Sequence, residues 1–414
     1  MKTLILLTNF FPYGNGEPYL ETEIKYFDRY FDRVYIASLQ LRRKDLESQR
    51  PIPSDRFSVL PVAKAANSVY LMHAVRAFAD KNLYADLWRL FRRGRLSLRR
   101  IVNLFVYLSR SYYEAGHILR WLHKEGVLSS GDNGVIYSYR FEYQPYVGLI
   151  LKKRLPRFKI VSRGHRFDLY EERRKGNYIP LRPYLLKQLD HTIMIAKNGI
   201  DYLARKYPEY RDKLALSRLG VMDHGLGPQK GRYDRLNIIS CSTITSIKRV
   251  NLIVESLANI NTIPIHWDHY GEGVLYDEVK TLAARILPNN ISYNFHGYID
   301  NQDLLKIYQT QPYHIFINVS SSEGVPVSIM EAMSFGIPCI ATDVGGTNEI
   351  VENEYNGILL PCDFNPEDLA HWISTFASMD DAVYSRYRTS ARTTWETKYS
   401  AERNYSEFLS FLSK

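Results

Sequence analysis

Short runs of β-branched and aromatic residues alternate with helical patterns and Gly-bearing turns along most of this chain. Residues 4–8 predict a first buried strand and residues 9–16 (NFFPYGNG) the loop after it. A helix starting at Glu17 follows, with Leu20, Ile24, Phe27 and Phe31 at helical spacing, and then a second strand at 34–38. Strand character returns at 134–139, 159–162, 192–196 and 216–221, the last carrying Gly220. A second series runs through 238–242, 265–270, 291–295, 315–319, 338–342 and 357–360, with helical patterns between the runs. Strands alternating with helices predict parallel sheets, here in two successive α/β domains.

The stretch 314–351 carries the densest signal. A strand at 315–319 breaks into Ser320, Ser321, Ser322, Glu323 and Gly324. Pro326 fits the first position of a helix bearing Ile329, Met330 and Met333 on one face and stopping at Gly336. The pattern then repeats: a strand at 338–342, a Gly-bearing turn at 343–346, and the start of another helix over 347–352. Two strand-to-helix turns side by side offer unpaired N–H groups and two positive dipole ends, a setting suited to a diphosphate. Glu323 lies in the first loop and Glu331 on its helix, seven residues apart in between. Helical rise separates the two carboxylates by about 12 Å, too far to share a proton, so each needs its own hydroxyl partner.

Composition narrows the class. At 414 residues the chain can bury two ordinary cores. Cys241, Cys339 and Cys362 lack metal-ligand spacing and read as reduced core thiols. The apolar run of MKTLILLTNF is short before Thr8 and Asn9, so it reads as a strand rather than a signal peptide. No run is long and apolar enough to span a bilayer, and the expected location is cytoplasmic. The net charge of +10 favours anionic neighbours without naming them. No nucleic-acid module is evident, so nucleic acid is not expected as a partner. Residues 42–126 are the least readable. Basic residues there mix with Leu, Phe, Tyr and Trp, as in LFRRGRLSLRR at 90–100, which fits either an anionic membrane surface or a solvated basic helix face.

The segment EGVPVSIMEAMSFGIPCIATDVGGTNEIV resembles the E-x7-E signature and following Gly-rich turn of the retaining glycosyltransferases of family 4. That resemblance implies an α/β GT-B fold: two Rossmann-like domains with parallel sheets facing a central cleft. It also implies a nucleotide diphosphate sugar donor as substrate, a saccharide or lipid-linked acceptor, and no cofactor or metal. Glu323 then contacts donor-sugar hydroxyls, Glu331 the ribose hydroxyls, and His165, in the sequence RGHRFD just past a strand, the sugar from the opposite domain. The N–H groups near Gly324, Val325, Pro326 and Val327 and the basic pair Lys248 and Arg249 face the diphosphate. Many family members carry an Arg where this chain has Ser242 and Thr243, and a Gly where it has Arg249. Gly14 and Gly16 match the turn that approaches donor phosphates and acceptor, while Gly271, Gly297 and Tyr298 match positions lining the nucleotide.

The expected boundaries are an acceptor-side domain at 1–230 with a basic helical insert near 64–126, a linker at 225–237, a nucleotide-sugar domain at 237–394, and a terminal helix at 395–414 crossing back. A structural His165 and a plain flexible loop at Gly14 remain open at this level. So do two other activities of the same architecture: a nucleotide-sugar epimerase, which would act on donor without acceptor, and a non-catalytic nucleotide-binding subunit.

Overall fold

The computed structural model describes residues 1–64, 70, 73–129, 131–228 and 234–414. The chain forms two compact units, one of Met1–Arg218 with Tyr405–Lys414 and one of Leu219–Asn404.

The first unit is built on a seven-stranded sheet, all of whose pairings are parallel. Its strands are β1 (Lys2–Thr8), β2 (Arg33–Leu41), β3 (Phe57–Ala63), β4 (Asn133–Ser138), β5 (Phe158–Gly164), β6 (His191–Met194) and β7 (Leu214–Leu216), in the order β3-β2-β1-β4-β5-β6-β7. Helices cover both faces of such a sheet, so its central strands read as unbroken apolar runs. Leu4, Ile5, Leu6 and Leu7 of β1 are all fully buried.

The second unit has six parallel strands: β8 (Leu236–Cys241), β9 (Ile265–Tyr270), β10 (Ile291–Phe295), β11 (Ile315–Asn318), β12 (Cys339–Thr342) and β13 (Gly357–Leu360). Their order is β10-β9-β8-β11-β12-β13. The order reverses between β1 and β4 in one sheet and between β8 and β11 in the other. Ligands of open parallel sheets bind outside the carboxyl ends of the strands at that reversal. In the second unit this is where the loops carrying Lys248 and Glu323 emerge.

Several elements differ from the sequence expectation. The helix expected from Glu17 is one α-turn, Leu20–Glu23, continued as a 3-10 helix, Ile24–Arg29. Glu17 itself takes a left-handed backbone, φ 55°, that no helix continues from. The helix expected over 347–352 is only a 3-10 turn, Thr347–Glu349, so one of the two helix N-termini is missing. Pro326 is the N-cap rather than the first helical residue of Val327–Ser334. The strand expected at 216–221 is β7, ending at Leu216. Gly220 instead presses on Ala401, whose Cα lies 2.4 Å from where a Cβ would stand, and Val221 bridges Ser400. The terminal helix is two, Asp381–Lys398 and Ala401–Ser413. Part of the linker, 229–233, and part of the basic insert, 65–69 and 71–72, lie outside the described residues.

Candidate functional site

Lys248 and Arg249 end the loop after β8 and precede the helix Val250–Ala258. Arg249 holds a left-handed backbone, φ 52°, at the position where the resembled family has Gly. Its guanidinium bridges two strand ends: Nε donates to the Val319 carbonyl at 2.8 Å and Nη1 to that of Cys362 at 2.7 Å. The remaining Nη2 is buried without a hydrogen-bond partner. Lys248 stands apart from that work. Its Nζ lies 2.5 Å from Glu323 Oε1, a half-buried ion pair that joins the two loops flanking the strand-order reversal.

The Glu323 loop is held from below by the Gly345 turn. A Cβ at Gly345, whose φ is 60°, would lie 2.0 Å from the Glu323 carbonyl oxygen, and one at Gly346 would lie 2.5 Å from that of Gly324. Only glycine lets the two turns touch, and Gly346 N–H donates to Gly324 O at 2.7 Å. Asn318 Nδ2 adds a 3.4 Å contact to Glu323 Oε1. Pro326 then opens the helix Val327–Ser334, whose first ladder bond is donated by Ile329 to the Pro326 carbonyl. The N–H groups of Val327 and Ser328 therefore precede the ladder and point along the positive dipole end.

Glu331 sits one helix turn further in. Its Oε1 accepts from Asn301 Nδ2 at 2.8 Å, and burial, only partly offset by that bond, pushes its carboxyl up to about 7. Cys241, at the end of β8, feels the same charge. Burial first, and then Glu331, push its thiol up to about 12, while Lys248 opposes the shift.

Gly271 and Gly297 close the ends of β9 and β10. A Cβ on Gly271, φ 138°, would lie 1.9 Å from the Ser242 carbonyl oxygen, and Gly271 N–H donates to Gly297 O at 2.7 Å. Tyr298, next along, is exposed. Beside them lies a cluster that sequence reasoning missed. Asp268 receives His296 Nε2 at 2.6 Å, Tyr313 Oη at 2.7 Å, Asn294 Nδ2 at 3.1 Å and His266 Nε2 at 3.2 Å. Though burial opposes it, these hydrogen bonds together hold the Asp268 carboxyl well below the usual range. His296 stacks flat on Tyr270, ring centres 4.3 Å apart. The available signal was the period of two in IHWDHY, which puts His266 and Asp268 on one face of β9. Among the described residues no group of three or more His, Cys, Asp or Glu is placed to hold a metal ion.

In the first unit, the turn of Gly14 and Gly16 folds inward. Gly14 N–H donates to Ser48 O at 2.9 Å, and a Cβ on Gly16 would strike the Phe10 ring at 2.6 Å. The buried Glu17 carboxylate accepts from the backbone N–H groups of Asn9, Phe10 and Phe11 at 2.9–3.1 Å and from Arg140 Nε at 3.2 Å. The N–H groups that a phosphate would use after β1 are thus filled by the chain itself. His165 follows β5 directly. Its backbone N–H donates to Asp168 Oδ1 at 2.5 Å, its ring packs 4.6 Å from that of Tyr139, and neither ring nitrogen has a hydrogen-bond partner although both are buried. Burial, with Arg140 and Arg163 adding repulsion, holds the imidazole well below its ordinary value, so it is neutral and keeps one donor and one acceptor to offer.

Residues 229–394 match the family described as glycosyl transferases group 1. The matched segment is less than half of the chain and coincides with most of the second unit. The chain is 25% identical over 232 residues to the "Putative colanic acid biosynthesis glycosyltransferase WcaL" of Escherichia coli K12, covering 54% of this chain and 56% of that protein. It therefore spans little more than half of that relative's length. Among solved structures it superposes on an apo "lipopolysaccharide outer core galactosyltransferase WaaB" with a TM-score of 0.69, 14% identity and 99% of both chains covered. "Anabaena Alr3699/HepE in complex with UDP" gives 0.65, 16% and 100% of both. The two parallel-sheet units are thus those of the GT-B fold. Lys248, Arg249, Glu323 and Glu331 all fall inside the matched segment; Gly14, Gly16 and His165 fall outside it.

Proposed function

We propose that this protein is a retaining glycosyltransferase. It moves a sugar from a nucleotide diphosphate sugar to a hydroxyl of a saccharide or lipid-linked acceptor in cell-envelope polysaccharide or glycolipid assembly. One observation carries the reading: Lys248 and Glu323 meet at 2.5 Å beside the open N-terminal turn at Val327, at the strand-order reversal of the second unit. A cation, a carboxylate and unpaired N–H groups at one point are what a sugar diphosphate presents partners for. The likeness to WcaL and WaaB, and the UDP held by HepE, support the polysaccharide setting and a UDP-type donor, with GDP as the other candidate.

In this reading the glycosyl C1–O bond to the diphosphate breaks as the acceptor oxygen bonds C1 on the same face. The acceptor proton passes to the departing phosphate oxygen. Negative charge grows on the leaving group, and the Lys248 ammonium, which has two N–H donors beyond the one facing Glu323, stabilises it together with the N–H groups at Val325 and Val327. Lys248 and these groups replace a divalent ion in that task. Glu323 orients donor-sugar hydroxyls, and Glu331 accepts from the ribose. His165, as a neutral imidazole, donates to the sugar. Arg249 keeps the Lys248 loop in place through Val319 and Cys362.

The test is release of nucleoside diphosphate from UDP- and GDP-sugars with and without oligosaccharide acceptors, in EDTA, with the anomeric configuration of the product read by NMR. Acceptor-dependent release with retention, insensitive to EDTA, is expected. His165→Ala should lower kcat more than donor affinity. Epimerised donor without acceptor, or nucleotide binding without turnover on any acceptor, overturns the reading.

A further inference from the structure

We infer that the helices Ala74–Phe78, Lys81–Arg92 and Leu98–Lys124 of the first unit present one amphipathic face that docks on an anionic lipid bilayer. This inference goes beyond the transferase reading and does not depend on it.

Inward positions of these helices do ordinary core work: Leu83, Leu90, Leu104 and Leu108 are buried. Outward positions do not follow the usual polar rule. On Lys81–Arg92, Tyr84, Trp88 and Phe91 recur at i, i+4 and i+7, which places them on one stripe, and they are 56%, 60% and 61% exposed. Trp88 and Phe91 stack on each other with ring centres 5.6 Å apart. On the start of Leu98–Lys124, Leu98, Val102 and Val106 make a second exposed stripe at i, i+4 and i+8. The helices are joined at the surface: Tyr84 Oη donates to the Phe78 carbonyl at 2.8 Å, and the exposed Phe78 ring packs 4.6 Å from Phe105. The stripes therefore form one patch rather than scattered apolar residues.

Charge selects the occupant. Between 74 and 106 the carboxylates are Asp80 and Asp86, and both are buried, with Asp80 receiving Tyr112 and Asp86 receiving Tyr178 and Arg89. The exposed cations Arg76, Lys81, Arg92, Arg93 and Arg99 make no ion pair among the described residues. Arg100 is different: it is tied to the Gly176 carbonyl and belongs to the fold. An apolar stripe with Trp and Phe, rimmed by uncompensated arginines and carrying no surface acid, matches the interface of a negatively charged leaflet: rings at headgroup depth, guanidinium groups on phosphate. A protein partner of mixed charge would leave several of these cations unanswered.

The test is cosedimentation of the full chain with phosphatidylcholine vesicles, with and without phosphatidylglycerol, alongside Trp fluorescence. We expect binding at least about tenfold tighter to the anionic vesicles, weakened by salt, since each arginine near such a surface contributes separately. Trp emission should shift to the blue on binding, and Trp88→Phe should remove most of the shift, because Trp267 and Trp395 are buried and Trp121 and Trp372 are half-buried, leaving Trp88 as the exposed tryptophan. Trp88→Ala with Phe91→Ala, and separately Arg92→Glu with Arg93→Glu, should each lower affinity about tenfold or more with unchanged circular dichroism. No vesicle binding, binding indifferent to lipid charge, or binding unaltered in both variants overturns the proposal. So does a native dimer that Trp88→Ala with Phe91→Ala converts to monomer, which would make the face a self-interface. Nucleotide binding, measured on the same samples, reports on the transferase site separately.

Discussion

Glu331→Gln tests the balance between stability and binding at the second-unit site. Burial pushes the Glu331 carboxyl from 4.5 to about 7. At about 1.36 kcal/mol per unit, ionising it in the folded protein costs about 3 kcal/mol relative to the unfolded chain. The folded pKa is the higher one, so between the two values the folded state holds a proton that the unfolded state has lost. Stability therefore falls as pH rises through that window and stays lower above it. Gln carries no charge to desolvate and keeps an oxygen for Asn301. The variant should match the parent near about pH 4 and exceed it by about 3 kcal/mol near about pH 8. For a unit the size of Leu219–Asn404 that is roughly 5–10 °C in melting temperature. Differential scanning calorimetry of nucleotide-free protein at both pH values reads it. Glu114, whose carboxyl burial also lifts to about 7, adds its own pH dependence in the first unit, but it is common to both proteins and cancels in the difference. A titration with nucleoside diphosphate in the same series should show affinity falling about tenfold in the variant, the loss of one charged acceptor to a hydroxyl. A stability difference that is the same at both pH values, or a variant less stable at the higher one, would refute the reasoning.

Gly345→Ala forces a Cβ to within 2.0 Å of the Glu323 carbonyl at a φ of 60°, so it should displace the Glu323 loop and cut donor affinity at least about tenfold, as read by calorimetric titration; an unchanged affinity counts against the cradle. Arg249→Lys cannot span the Val319 and Cys362 carbonyls together and should lower stability by about 1–3 kcal/mol, whereas Lys248→Ala should weaken donor binding more than it moves the melting temperature. Glu23→Gln leaves the fully buried Arg163 guanidinium, now 2.5 Å from Glu23 Oε2, without its counter-charge, and should cost about 3–5 kcal/mol in denaturant titration of the first unit.

The parallel sheets were legible because both faces of their strands are covered, which leaves apolar runs that stand out against Gly-bearing turns. β3 escaped notice for the opposite reason: it is an edge strand, FSVLPVA, with Pro61 and several half-exposed positions. The pairing of Lys248 with Glu323 was not read from the sequence, because it depends on β8 and β11 lying side by side in the sheet. The work of Arg249 could not be read either, since its carbonyl partners lie 70 and 113 residues further along the chain. The same holds for Asp268, whose polar neighbours come from β9, β10 and the approach to β11. Glu17 looked like the start of a helix because sequence periodicity sees the apolar side of a segment and not where a carboxylate turns.

That carboxylate distinguishes two otherwise similar frameworks. Each unit has a parallel sheet whose order reverses, and each sends a loop out of its first strand at that reversal. In one, the Glu17 side chain accepts from the N–H groups of Asn9, Phe10 and Phe11; in the other, the loop carries a cation, Lys248, which faces Glu323. Under the proposed function, the sign of this one side chain directs the diphosphate to the second sheet. Inorganic phosphate or pyrophosphate should accordingly compete at Lys248 and leave the loop after β1 untouched.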